Sequence, residues 1–299
     1  MKQILGLFLV GVMAAPVAAQ VTVDGTKDGA YGAALAVQTV ETQFGDNASE
    51  WDAGYATIDA GRLYLMLTGN LEANFNKLEI FIDSKAGGQS VFDSSGNDNA
   101  NRMDGLAFDA GFTADYHLIV RRGNDAGNDR FDVDFANLGA QSASGYFDIL
   151  SGSGVVGTGS TGTGVNGSPI NFGYDNSNIA GVLGGTAAAD QTAAAAVTTG
   201  LELSIELSDL GYIGGPINVM VGQNGGGHDY WSNQFLGGLA APQGNLGGDG
   251  NGNFTGEGAI DFTTLAGNQF FTLRGIPEPA SLGLAALAGV SLLAIRRRK

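Results

Sequence analysis

Residues 61–83 read GRLYLMLTGNLEANFNKLEIFID and carry the clearest fold signal in the chain. The stretch holds two short apolar runs, residues 62–67 and 78–82, and the first run lies between Gly61 and Gly69. Apolar runs of roughly four to eight residues that end at glycine or aspartate are typical of buried β-strands. The sequence therefore predicts two strands here.

Six further segments have the composition of strands and are separated by turns rich in Gly, Asn and Asp. Residues 115–122 place Tyr116, Leu118 and Val120 on one face, as the two-residue period of a strand requires. Residues 131–135 alternate phenylalanine or valine with aspartate and are predicted to form a half-exposed strand. The remaining predicted strands cover residues 145–150, 201–207, 217–221 and 270–273.

This pattern predicts a mainly β fold, an antiparallel β-sandwich of jelly-roll-like type formed by residues 20–275. Only residues 187–196 have a helical composition. Two long glycine-rich segments interrupt the strands. Residues 151–168 are predicted to be a mobile loop, and residues 244–258 a long surface loop.

The charge of the chain excludes nucleic acid as a partner. The sequence has 14 Lys and Arg against 30 Asp and Glu, a formal net charge of −16 at pH 7. Residues 20–279 alone carry nine basic and 30 acidic side chains, and such a surface repels phosphate groups. The chain has no cysteine, which excludes disulfides and thiolate metal sites, and its two histidines make a multi-histidine metal site improbable.

Residues 1–19 have the three-part order of a secretory signal peptide, and we expect them to form a signal helix. Lys2 supplies the positive charge, residues 4–12 are apolar, and residues 17–19 supply small side chains before a predicted cleavage at Gln20. An uncleaved N-terminal anchor is the alternative, but the apolar run is short. We therefore expect export by the secretion machinery and processing by signal peptidase.

The C-terminus predicts a transmembrane helix over residues 280–295. This run of 16 uncharged residues is about 24 Å long as a helix, close to the hydrocarbon thickness of about 30 Å. Residues 296–299 are all basic and are expected to stay on the cytoplasmic side. An ordinary C-terminal anchor is one interpretation of this tail.

A proline–acid–proline motif, an apolar run and an arginine cluster follow one another in this tail: Pro277, Glu278 and Pro279, residues 280–295, then Arg296, Arg297 and Arg298. This order resembles the PEP-CTERM sorting signal, also called the ice-binding protein C-terminal motif, and the resemblance covers residues 276–299. It implies that a membrane-embedded exosortase recognises the tail and cuts near the Pro-Glu-Pro motif. It also implies transient anchoring, followed by display at the cell surface or release into the extracellular matrix.

Five short motifs lie along the body of the chain: residues 23–25, Tyr31-Gly32, Trp51-Asp52, residues 78–83 and residues 199–211. Together they resemble sugar-binding sandwiches of the carbohydrate-binding module 9/DOMON type. The resemblance implies a β-sandwich with a carbohydrate ligand.

Aromatic side chains are the candidate ligand-binding residues. Trp51, Tyr230 and Trp231 are predicted to stack on sugar rings, and burial in the core is the alternative. His228 and Asp229 offer a base and a residue to orient it, but adjacent strand residues point to opposite faces, which favours an ordinary turn. The chain has no Gly-x-Ser-x-Gly motif, and no catalytic residue is assigned.

Calcium is the one candidate cofactor. Asp93, Asn97, Asp98 and Asp104 form an oxygen-rich loop, and calcium takes 6–8 oxygen ligands from such groups. The spacing departs from an EF-hand because Arg102 stands where glycine is needed. Ordinary Asn and Asp turns without a metal are the alternative.

The sequence thus predicts an exported, PEP-CTERM-sorted surface or matrix protein. Its expected role is structural or adhesive, with binding of carbohydrate or extracellular polysaccharide rather than catalysis. A secreted hydrolase that acts on polysaccharide is the alternative. It would need a carboxylate pair or an activated nucleophile that the sequence does not identify.

Overall fold

The computed structural model describes residues 20–152, 156–255 and 257–275. The predicted signal peptide over residues 1–19 lies outside the described residues. So do the predicted transmembrane helix over residues 280–295 and the sorting residues Pro277, Glu278, Pro279, Arg296, Arg297 and Arg298. No helix within the described ranges is long and apolar enough to span a bilayer.

The described residues are mainly β, with two antiparallel sheets and few helices. One α-helix, α1, spans Gln191–Ala196, and 3-10 helices span Gly29–Tyr31, Asn97–Met103, Glu257–Ala259 and Phe262–Thr264. In chain order the strands are β1 Ala36–Val37, β2 Glu50–Asp59, β3 Arg62–Asn70, β4 Lys77–Asp83, β5 Tyr116–Asp125, β6 Asn128–Asn137, β7 Ser142–Tyr146, β8 Leu150–Gly152, β9 Val156–Ser160, β10 Asn171–Asp175, β11 Gly200–Glu206, β12 Ile217–Asn224, β13 Trp231–Leu236 and β14 Phe270–Leu273.

The first sheet has the order β1-β2-β3-β11-β10-β9-β8, and the second has the order β13-β12-β4-β5-β6-β7. One edge of β12 is shared by two partners. Its first half pairs with β14 and its second half with β13, while its other edge pairs with β4. β13 begins opposite Asn224, the last residue of β12, and a bridge between Trp231 and Gly247 brings the glycine-rich segment to the same place.

Most of the predicted strands are confirmed, because their apolar periodicity matches the observed pairing. The two runs of residues 61–83 form β3 and β4, and these strands lie in different sheets. The prediction for residues 145–150 is wrong in detail, since β7 ends at Tyr146 and β8 begins at Leu150. The predicted helix is shortened to α1, where the Asp190 carboxylate accepts hydrogen bonds from the backbone N–H groups of Thr192 and Ala193.

The prediction of one mobile loop over residues 151–168 is corrected by the pairing of β8 with β9 and of β9 with β10. The turn between β9 and β10 is built around Asn166, which is fully buried. Its amide donates to Thr161 Oγ1, Gly162 O and Ser168 O at 2.9–3.1 Å. In the other glycine-rich segment, the described residues of 244–258 form no strand.

Both sheets contribute to one buried apolar cluster. Leu63, Leu65 and Leu67 reach it from β3, and Leu78 and Ile80 reach it from β4. Each such side chain contributes roughly 1.5–3 kcal/mol to stability through burial. Burial in this cluster explains why residues 62–67 and 78–82 carry apolar side chains at alternate positions.

The opposite face of the second sheet is also covered. Phe81 and Ile119 on this face pack with Phe92, Phe108 and Phe262, which come from the connections around the sheet. Polar side chains on the same face are therefore cut off from water. The prediction that residues 131–135 are half exposed is wrong, since all five are buried. Asp134 accepts a hydrogen bond from Arg121, and Asp132 accepts one from the Asp148 backbone.

Candidate functional site

Three aromatic rings stack at the protein surface, and we call Phe44, Tyr230 and Phe254 the aromatic stack. The rings of Phe44 and Tyr230 are 6.0 Å apart with an angle of 15° between their planes. The rings of Tyr230 and Phe254 are 4.4 Å apart at 32°. Phe254 is 71% exposed, and the other two rings are half-buried. The outer end of the stack is therefore open to a ligand.

A tight turn after β12 places Tyr230 at the surface. The Asn224 side-chain oxygen accepts hydrogen bonds from the backbone N–H groups of Gly225 and Tyr230, at 2.8 and 3.1 Å. The backbone N–H of His228 donates to the carbonyl of Gly225, and His228 has a positive φ of 51°. Residue 230 thus lies outside the sheet, immediately before the first residue of β13.

The glycine-rich segment before the last strand positions Phe254. Gly247 bridges to Trp231 and to Asn253, and a Cβ atom at Gly247 would collide with the Asn253 backbone. The Asp249 carboxylate accepts hydrogen bonds from the Asn253 side chain and from the backbone of Asn251 and Asn253. These bonds, that of the Asn253 side chain first, lower the pKa of Asp249 to about 2. The loop that carries the exposed ring is therefore held by defined contacts.

Polar groups surround the aromatic stack. Gln43, next to Phe44, accepts a hydrogen bond from the Asn245 backbone at 2.8 Å. The Tyr230 hydroxyl makes no hydrogen bond to any residue that the structure describes, so it is free to bond a ligand. An apolar ring face beside hydroxyl, amide and carboxylate groups matches the alternation of C–H faces and hydroxyls on a sugar.

Of the three predicted ligand-binding aromatics, only Tyr230 reaches the surface. Trp51 and Trp231 are 0% exposed. Trp51 donates from its ring nitrogen to Gln223 at 2.8 Å, within the cluster that the sheets share. Trp231 packs against Phe262 on the other face of the second sheet. The prediction is corrected for both tryptophans because neither presents a ring face to solvent.

Phe44 and Phe254 were not predicted from the sequence. Neither lies in an apolar periodic segment, and a ring in a segment of Gly, Asn and Asp has few apolar neighbours to pack against. A lone phenylalanine within residues 244–258 is the signal that could have identified the second of them. Its partner Tyr230 is 24 positions away in sequence, so the stack itself is visible only in the fold.

Both histidines of the chain contact one buried carboxylate, that of Glu79 on β4. His117 Nε2 lies 2.8 Å from Glu79 Oε2, and His228 Nδ1 lies 2.6 Å from Glu79 Oε1. All three side chains are at most 1% exposed. The chain of contacts continues from His228 to Asp98 at 3.3 Å, and from Asp98 to Lys77 and Arg121 at 2.8 and 3.1 Å. We call these six residues the buried ionic network.

The charges of Glu79 and His228 are set by the charged side chains next to them rather than by burial alone. Burial alone raises the pKa of Glu79, but the charge and hydrogen bonds of His228 and His117 outweigh it and hold this pKa well below its ordinary value. Burial lowers the pKa of His228, but Glu79 and Asp98 raise it to about 9. Glu79 is therefore an anion and His228 a cation at neutral pH.

The pairing of His228 with Asp229 is not observed. The Asp229 carboxylate lies 3.3 Å from Arg102, at the surface, while His228 points inward to Glu79. A base that is 1% exposed cannot reach a polymeric substrate in this conformation. The turn interpretation of this segment is the one that the geometry favours.

The four predicted calcium ligands have different partners. Asp98 belongs to the buried ionic network, Asp104 accepts from the Ser94 backbone, and Asn97 accepts from the hydroxyl of Ser95. Asp93 is joined through its backbone N–H to Gln89. Among the described residues, no group of three or more His, Cys, Asp or Glu side chains could hold a metal ion. Calcium at this loop stays a prediction.

Three of the motifs in the body of the chain meet at Glu202 on β11. Its carboxylate accepts hydrogen bonds from the backbone of Asp24 and Gly25, at 2.9 and 3.1 Å, and from the Tyr31 hydroxyl at 2.7 Å. Glu202 is fully buried, and burial raises its pKa to about 7. This contact ties the N-terminal segment to the outer face of the first sheet.

Comparison of the chain with family models, with curated proteins and with solved structures finds no match in any of the three. The functional argument therefore rests on the geometry of the described residues and on the sequence signals at the two ends of the chain.

Proposed function

We propose that this is an exported, PEP-CTERM-sorted surface or matrix protein that binds carbohydrate or extracellular polysaccharide. The single observation that carries the binding proposal is the aromatic stack, whose outer ring, Phe254, is 71% exposed. The Tyr230 ring packs against Phe254 with 4.4 Å between ring centroids and leaves the outer face of Phe254 free for a ligand. Such a face is suited to the C–H face of a sugar.

The ligand is most compatible with neutral sugars. The chain has a net charge of −16, so an acidic polysaccharide would be repelled over much of the surface. Gln43, next to Phe44, is exposed and carries an amide group that can bond sugar hydroxyls without requiring charge. A structural or adhesive role in a polysaccharide matrix follows from this chemistry.

We further propose that the two sheets pack face to face as a jelly-roll-like sandwich. The apolar cluster to which both β3 and β4 contribute supports this arrangement. The outer face of the first sheet would then carry Tyr31 and Glu202, and the outer face of the second the buried ionic network.

Export and sorting form the second part of the proposal. They rest on residues 1–19 and 276–299 in the sequence, with signal peptidase and an exosortase as the processing partners. Transient membrane anchoring by residues 280–295 precedes release to the cell surface or matrix. Mass spectrometry of the mature protein tests this: we expect a C-terminus near Pro279, and an intact sequence through Lys299 would contradict it.

A glycan array of neutral oligosaccharides, with pull-down on insoluble cellulose, tests the binding proposal. We expect Phe254→Ala to weaken binding about tenfold, which corresponds to roughly 1.4 kcal/mol of lost stacking. Phe147→Ala is the matched control, because Phe147 is a 63% exposed phenylalanine that makes no ring contact with the stack. Equal binding by the Phe254→Ala variant and the unaltered protein would contradict the proposal.

A further inference from the structure

A second set of buried carboxylates lies where β2 begins and β3 ends. Four oxygen atoms converge there on the side-chain nitrogen Nδ2 of Asn178: Glu50 Oε1 at 3.1 Å, Asp52 Oδ2 at 3.2 Å, Asn70 Oδ1 at 3.1 Å and the carbonyl of Ala180 at 2.6 Å. We call these four oxygens the oxygen cage. Glu50, Asp52 and Asn70 are 0% exposed, and Asn178 is 9% exposed.

The strand pairing builds the cage. Glu50 lies directly opposite Asn70 in the β2–β3 ladder, and the register then shifts between Trp51 and Ala53, so that Asp52 is the extra residue of a β-bulge. The carboxylates of residues 50 and 52 nevertheless converge on the same nitrogen, that of Asn178. Gly69 permits this approach, because a Cβ atom there would collide with the Glu50 carbonyl.

The connection after β10 closes the cage. The Asn70 amide nitrogen donates to the carbonyls of Asn176 and Asn178, at 3.2 Å each, which turns its oxygen toward the carboxylates. Gly181 has a φ of +118°, and a Cβ atom at this position would collide with the Asp52 carboxylate. The backbone at residues 180–182 thus packs directly on the acid.

The oxygens of the cage outnumber the available protons. An amide nitrogen carries two hydrogens, while four acceptors surround Nδ2 of Asn178. None of the four accepts another hydrogen bond within the described residues. Three of the four oxygens, those of Glu50, Asp52 and Asn70, are buried, so at least one buried oxygen lacks a proton from this amide. Unsatisfied buried acceptors are rare in native proteins.

The cage also lacks a counter-charge. In the part of the chain that the structure describes, neither Glu50 nor Asp52 forms an ion pair with Lys, Arg or His. Buried carboxylates without a cation are costly, so the site favours a bound positive charge.

We propose that the oxygen cage binds a calcium ion. Two carboxylates neutralise a divalent ion, and the amide and carbonyl oxygens are the hard neutral ligands that calcium accepts. Nδ2 of Asn178 stands at the centre of the cage, so an ion binds there only when this amide moves out of the centre, and its oxygen then becomes a fifth ligand. The cage oxygens lie 2.6–3.2 Å from that centre, so a modest contraction reaches calcium distances of about 2.3–2.6 Å. Magnesium, at about 2.0–2.1 Å in a strict octahedron, fits less well.

The test uses the full chain, freed of metal with EDTA and exchanged into buffer with potassium chloride. We expect calcium chloride at 1 mM to raise the melting temperature by about 5 °C and one calcium ion to bind per chain by equilibrium dialysis. Magnesium chloride should give less than half the shift. Absence of a calcium response, or an equal response to magnesium, would overturn the proposal.

Variants locate the ion. Asp52→Asn is expected to abolish the calcium response, and Asp104→Asn, in the loop predicted from sequence, is the matched control that should keep it. A response lost in Asp104→Asn and retained in Asp52→Asn would overturn the assignment.

Asn178→Asp provides an answer even if Asp52→Asn does not fold. It replaces the only donor in the cage with a third carboxylate. With an ion in the cage, the variant should bind calcium about tenfold more tightly than the unaltered protein. Unchanged or weaker calcium affinity in Asn178→Asp would overturn the proposal.

Discussion

The buried ionic network and the oxygen cage both hold carboxylates that are 0% exposed, but these carboxylates contact different kinds of groups. In the network, Glu79 lies within 2.8 Å of two histidine nitrogens. In the cage, Glu50 and Asp52 share one amide nitrogen. The pKa of Glu79 is accordingly lowered, whereas those of Glu50 and Asp52 are raised.

The difference shows that burial alone does not decide the charge of an acid. Desolvation raises the pKa in every one of these carboxylates, and only cationic neighbours reverse its effect. The network therefore supplies its own counter-charges, whereas the carboxylates of the cage have no cationic partner among the described residues, and we propose that calcium provides one. Substitutions that remove a carboxylate should have opposite signs in the two places.

The largest expected effect is that of Glu79→Gln. It leaves His228 and His117 without their shared anion, and loss of one partner of a buried ion pair costs about 3–5 kcal/mol. Urea denaturation at pH 7 measures the free energy of unfolding. The exposed Glu72→Gln is the control, with a change within about 0.5 kcal/mol. A loss below about 1 kcal/mol in Glu79→Gln would show that the network contributes little.

The pH dependence of His228 is the next effect. Its folded pKa of about 9 lies above its unfolded value of about 6.5, so the stability it contributes is complete below pH 6.5 and is lost as the pH rises to 9. The difference is on the order of 3 kcal/mol, because one pKa unit corresponds to about 1.4 kcal/mol. Glu79 stays ionised throughout this window.

His228→Gln isolates this contribution from the buried acids, which also lose stability as the pH rises. We expect the unaltered protein to exceed the variant in unfolding free energy at pH 6.5, and this excess to shrink by pH 9.5. A difference between the two proteins that stays constant from pH 6.5 to 9.5 would contradict the assigned charge of His228.

Asp52→Asn should have the opposite sign to Glu79→Gln. Without calcium at pH 9.5, above the pKa of about 8 that burial gives Asp52, the variant removes an uncompensated buried charge and supplies a donor, so we expect a gain on the order of 1–2 kcal/mol. With calcium, the unaltered protein should become the more stable of the two. Denaturation curves with and without calcium measure this, and a variant that is destabilised in both conditions would break the comparison.

The smallest effect on stability is expected at the surface. Phe254 is 71% exposed, so Phe254→Ala should change the unfolding free energy by no more than about 0.5 kcal/mol. The same variant loses sugar binding under the proposed function. A larger loss of stability would mean that the ring serves packing rather than recognition.

The sequence predicts the strands whose apolar signal is local, and it misses others, among them β2, β10 and β13. The apolar alternation of residues 61–83 is sufficient to place β3 and β4. β2 was missed because its first residues, Glu50 and Asp52, belong to the oxygen cage rather than to an alternating apolar pattern.

The sites were predicted poorly because their contacts are distant in sequence. Glu79 and His228 are 149 positions apart, and Glu50 and Asn178 are 128 positions apart. Glu79 lies inside the apolar run 78–82 and therefore indicates a buried polar partner, but the sequence does not show which residue that partner is. Trp51 and Trp231 were misassigned because ring type alone does not separate a core side chain from a binding face.

A crystal structure of the chain grown with calcium chloride tests the central claim, that the oxygen cage is completed by an external cation, most directly. We expect an anomalous difference peak between Glu50 Oε1, Asp52 Oδ2 and Asn70 Oδ1, with oxygen ligands at about 2.3–2.6 Å and the Asn178 amide turned. An unchanged Asn178 nitrogen at the centre of the cage, with no peak, would contradict it.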